Sequence, residues 1–120
     1  MPGRPVVHIE IPSKNPDTSG DFYKQMFGWG IQSVTEPVAY TMFEAENTGG
    51  GFTEVGEQTK VGDVLVYIGS DNLEADLKKI ERLGGKTVVA KMVVGEMGEF
   101  AVFTDPTGNR DALWKPYSPG

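Results

Sequence analysis

The chain has 120 residues, 11 basic and 17 acidic, with a net charge of −6. That length suits one domain able to bury a core without disulfide or metal staples, and the charge repels a phosphate backbone, so nucleic acid is not expected as a partner. With no cysteine and a single histidine, His8, the sequence excludes disulfides, thiolate metal centres, cysteine nucleophiles and every motif that needs two histidines.

The N-terminal "MPGRPVV" lacks the apolar stretch of a signal peptide, and no run approaches a membrane span. A soluble cytoplasmic protein with no membrane partner is expected. Residues 6–11, "VVHIEI", alternate as a half-buried strand, with Val7, Ile9 and Ile11 on one face and His8 and Glu10 on the other. A helix follows: Asn15 caps, Pro16 suits the first helical position, and Phe22, Met26 and Phe27 form an apolar stripe that ends at Gly28, with Gly20 weakening it. Three short strands are predicted over 29–35, 39–45 and 50–55, separated by "TEP" and a glycine-rich turn.

The pattern then restarts. "DVLVYIGS" is a strand with Leu65 and Tyr67 on one face and Val64, Val66 and Ile68 on the other. In "DNLEADLKKIERLGG", Asp71 and Glu74 have capping-box spacing, Leu73, Leu77 and Ile80 make the buried stripe, and Gly84 stops the helix. Strands over 86–94, 97–104 and 108–115 complete the copy, the last two joined by the turn Asp105–Asn109. The chain is thus one domain over 1–120, made of module one at about 5–57 and module two at about 62–116. Each module reads strand–helix–strand–strand–strand, an α+β architecture.

The duplicated βαβββ pattern resembles the vicinal oxygen chelate (VOC) superfamily of glyoxalase I, bleomycin-resistance proteins and extradiol dioxygenases. The resemblance rests on "VVHIEI", the "FY" and "FGW" of the first helix, "GGG" at 49–51, "LGGK" and "FAVFTDPTGNRDALW". It implies two modules whose curled mixed sheets form a cup, often completed across a homodimer, holding a divalent metal or a drug molecule. It also implies four metal-ligand positions, which here read His8, Thr53, Leu65 and Ala112. Leucine and alanine have no lone pair to give, and a stable divalent site needs at least three nitrogen or oxygen donors. The usual metal centre is therefore not expected; if any metal binds, His8 is the donor, joined by Glu54 or by Glu10 in an altered register.

On the cup-facing parity lie His8 and Glu10, two residues apart, as an acid–base pair or as groups that orient a polar ligand. His8 as a hydrogen-bonded structural residue is the competing reading. Tyr67 and Trp114 offer an aromatic wall for a flat organic ligand, Arg110 a carboxylate clamp or a partner for Glu10, and Thr53 a further polar contact. "GEMGEF" at 95–100 reads as a hairpin overhanging the mouth. The expectation is a protein that binds a small organic molecule as a homodimer, with no cofactor. The alternative is a lyase, isomerase or ring-cleaving dioxygenase that uses a divergent nickel, zinc, manganese or iron site, or His8/Glu10 acid–base chemistry.

Overall fold

The computed structural model describes residues 3–117. The chain divides into two compact units, residues 7–66 and residues 67–117 together with 3–6. The first carries β1 (Val6–Ser13), whose first residue lies across the boundary, α1 (Pro16–Phe27), β2 (Gly30–Val34), β3 (Tyr40–Ala45) and β4 (Thr48–Glu54). The second carries β5 (Leu65–Gly69), which crosses the boundary, α2 (Leu73–Arg82), β6 (Lys86–Val94), β7 (Gly98–Thr104) and β8 (Arg110–Pro116). Strand order is β2-β3-β4-β1 in the first unit and β5-β8-β7-β6 in the second. In both, the strand before the helix pairs in parallel with the last strand, and the remaining pairs are antiparallel. The fold is the α+β, mixed-sheet duplication that the sequence pattern predicts.

Each helix starts by the same device. In the first unit, Ser13 at the end of β1 accepts the N–H of Asn15 through its hydroxyl oxygen at 3.0 Å, and Asn15 Oδ1 accepts the N–H of Thr18 at 3.1 Å. In the second, Ser70 accepts from the N–H of Asn72 at 3.2 Å, and Asn72 Oδ1 accepts from Ala75 at 3.0 Å. Both caps satisfy a donor that the helix itself leaves open. The cap of α2 is therefore Asn72 and not Asp71. The serine fixes the chain so that the next residue but one faces the helix start.

Helix α2 follows its predicted stripe. Leu73 and Leu77 are buried against Ala101, Phe103 and Leu113, with Ile68 and Ile80 packed beside them. Helix α1 does not. Phe22, Met26 and Phe27 are 58%, 65% and 56% exposed, and the inward residue is Gly20. A Cβ at Gly20 would lie 3.0 Å from Ile31 Cγ2, so the missing side chain lets the helix approach β2 closely. That contact sets the rotation of α1 and turns positions 22 and 26, two and six residues on, away from the sheet. Tyr23 then covers the core, stacked on Trp29 at 4.8 Å and on Phe52 at 5.7 Å, while Trp29 stacks on Phe43 at 4.4 Å.

The turn before β8 is held by one carboxylate. Asp105 accepts the N–H groups of Thr107 and Asn109 at 2.9 Å each and the Asn109 side-chain amide at 2.9 Å. Those bonds favour its charged form and bring its pKa down to about 2. An aspartate here fixes the point at which β8 begins, and with it which residues of that strand share a face.

Candidate functional site

Alternation along β1 places Ile9 and Ile11 on the face that α1 covers, paired with Gly50 and Phe52 of β4. His8 and Glu10 face the other way. Glu10 is directly paired with Gly51. On β3 the same parity brings Tyr40 onto the His8 and Glu10 face, and the three side chains meet. His8 Nε2 lies 2.9 Å from the Tyr40 hydroxyl, which donates to Glu10 Oε2 at 2.8 Å. The His8 and Tyr40 rings are nearly parallel, 23° apart, with centroids at 6.2 Å.

The space for this arrangement comes from β4. A Cβ at Gly51 would fall 2.1 Å from both Cζ and Oη of Tyr40. The tyrosine reaches His8 and Glu10 because position 51 has no side chain.

The hydrogen count fixes the chemistry. Tyr40 has one hydroxyl hydrogen and gives it to Glu10, so in the contact between them His8 Nε2 donates to the tyrosine oxygen. Burial pushes the His8 pKa below its ordinary value, and the negative charge of Glu10 opposes that shift without reversing it. The half-buried strip His8–Tyr40–Glu10 thus presents a neutral imidazole, a phenol and a carboxylate on one sheet face. Such a strip can stack on a ring, accept from a donor and pair with a cation.

The other residues singled out in the sequence fall as follows. Thr53 pairs with Pro12, one pleat along from Glu10 and Gly51 on the same face. Glu54 pairs with Ser13, whose hydroxyl bonds Ser19 of α1 at 2.6 Å. It is therefore exposed on the opposite face from His8. In the second unit Tyr67 pairs with Ala112, is 7% exposed, and meets Phe100 edge-on at 6.0 Å. Trp114 is half-buried over Gly98, on the same face as Ala112. Arg110 begins β8, exposed and paired with Thr104.

The registers correct one equivalence between the modules. Glu10 is to Gly51 in the first unit as Tyr67 is to Ala112 in the second. The counterpart of Ala112 is thus Gly51, and Thr53 corresponds to Trp114. Counting along the chain misplaces it because β6 is longer than β2 and shifts register twice against β7. Of the positions that the family resemblance marks for a divalent metal, the first unit thus offers His8 beside Gly51, and on β5 and β8 Leu65 and Ala112 carry no donor. Neither set fits a metal centre. Among the described residues, no three His, Cys, Asp or Glu side chains gather closely enough to hold a metal.

Tyr40 and Gly51 escaped the sequence reading as site residues. A signal existed in "GGG" at 49–51, where a strand interior without side chains points to a close approach.

Residues 8–113 match a family described as Glyoxalase-like domain. The chain belongs to that family. Among curated proteins it is 29% identical to the anthracycline biosynthesis protein DnrV of Streptomyces peucetius, over 95% of this chain and 47% of that protein. The chain spans about half the length of the curated relatives it matches. Among solved structures, the hypothetical protein BH1468 of Bacillus halodurans C-125 superposes with a TM-score of 0.78 at 11% identity, over 99% of both chains. A methylmalonyl-CoA epimerase of Streptomyces coelicolor, in complex with 2-nitronate-propionyl-CoA, superposes at 0.69 with 18% identity over 96% of both. At these identities the two structures speak for the fold.

Proposed function

We propose that this protein binds a small organic molecule on the His8–Tyr40–Glu10 face, without a divalent metal, and that it works in the cytoplasm as a homodimer. The observation that carries the reading is the hydrogen-bonded strip itself. It offers a flat imidazole and phenol for stacking and a carboxylate for a cation or hydroxyl, while Gly51, Leu65 and Ala112 carry no metal donor. A net charge of −6 favours a cationic ligand. Relatives named for anthracycline biosynthesis make a planar aromatic cation of that class a natural first probe.

The test is a fluorescence titration of doxorubicin with protein stripped by EDTA. Saturable quenching is expected, and Tyr40→Phe should weaken it about 3–10-fold, the size of one net hydrogen bond. Absence of saturable quenching, or full affinity in both Tyr40→Phe and His8→Ala, contradicts the reading.

The homodimer has its own check. Strand β6 is outermost in its unit's order, with Val88, Met92 and Val93 about half exposed, and such an edge calls for cover. Sedimentation at micromolar concentration should give twice the 13.0 kDa chain mass; a clean monomer rules the dimer out.

A further inference from the structure

We infer that Tyr40, seated over Gly51, is the residue that commits this face to organic ligands, because it takes the space through which a β4 side chain would have to reach a divalent cation. The inference deepens the binding reading and rests on it for the claim that this face takes a ligand.

Gly51 is the direct partner of Glu10 and so shares its face, one pleat from His8. A side chain there would be the third donor beside His8 and Glu10. An ideal Cβ at 51 lies 2.1 Å from two atoms of Tyr40, far inside van der Waals contact. Those atoms are the far end of the tyrosine side chain, which can swing aside only by giving up its hydroxyl's bonds to His8 and Glu10. A phenol bonded to both groups and a donor at position 51 are therefore mutually exclusive. Exchanging one for the other exchanges the class of ligand: a hydrogen-bonding aromatic strip in one case, three clustered nitrogen and oxygen donors in the other.

The steric claim is read from Gly51→Ala in two backgrounds. With Tyr40 present, the added methyl should lower Tm by roughly 5–15 °C, as overpacking does in a small domain. In the Tyr40→Ala background the same change should cost little. An equal loss in both backgrounds overturns the inference.

The ligand claim is read from nickel binding by calorimetry and thermal shift. The wild type and Tyr40→Phe should show no uptake, whereas Tyr40→Ala combined with Gly51→Glu should bind nickel at 1:1 and gain Tm from it. Wild-type uptake as tight as that of the double variant overturns the inference, and so does a folded double variant that ignores nickel. Should the double variant not fold, the Gly51→Ala comparison decides alone. Doxorubicin titration of the wild type stays separate: its failure removes the binding reading and leaves the steric comparison intact.

Discussion

His8 sits between two opposing influences, burial that disfavours its cation and a nearby Glu10 carboxylate that favours it. Burial wins, so its folded-state pKa lies below the ordinary 6.5. A histidine depressed in this way binds fewer protons folded than unfolded. Its contribution to stability is whole above about pH 6.5 and is lost as pH falls through the folded value. An NMR titration of the imidazole should place the midpoint below 6.5, and Glu10→Gln should move it lower still by removing the opposing charge. A midpoint at or above 6.5 would show that the carboxylate, not burial, governs the ring. His8 and Glu10 were legible in the sequence because strand alternation alone puts them on one face. Tyr40 was not. It lies 30 residues from Glu10, on a strand whose register is set by pairing with β2 and β4, and no local pattern carries that distance.

At the scale of elements, the two helices show what periodicity can and cannot read. Helix α2 has leucines at the right spacing and a sheet that accepts them, so its buried face is the one the sequence displays. Helix α1 displays an equally plain stripe in Phe22, Met26 and Phe27, yet close approach at Gly20 turns Phe22 and Met26 outward, and Phe27 at the helix end is exposed as well. A glycine carries no hydrophobic signal, so periodicity gives it no weight. The caps tell a similar story. Aspartate with glutamate three residues on has capping-box spacing, but the serine at the end of β5 sets the frame and hands the role to Asn72. Asn72→Ala should therefore cost about 1 kcal/mol of stability in chemical denaturation, and Asp71→Ala much less. The opposite ranking would restore Asp71 as the cap. The serine–x–asparagine pair recurs at Ser13–Asn15 and Ser70–Asn72, so this signal was present in the chain as a repeat.

At the scale of the whole molecule, duplication made the fold readable. Two copies of one element order restrict the architecture more than either copy does, and the family match over residues 8–113 agrees with it. The glycine at 51, the leucine at 65 and the alanine at 112 carry no donor, but only the strand registers make position 51 the counterpart of Ala112, and only the packing brings Tyr40 of β3 over it. No helix among the described residues is long and apolar enough to cross a membrane.

The most direct test of a metal-independent organic site is residue-resolved. Amide and aromatic NMR spectra of isotope-labelled, EDTA-treated protein would be recorded as doxorubicin is added. The account predicts saturable shifts centred on His8, Glu10, Tyr40 and Gly51 that are unchanged when nickel or zinc is supplied. Shifts centred elsewhere, or a response at these residues only after metal is added, would contradict it.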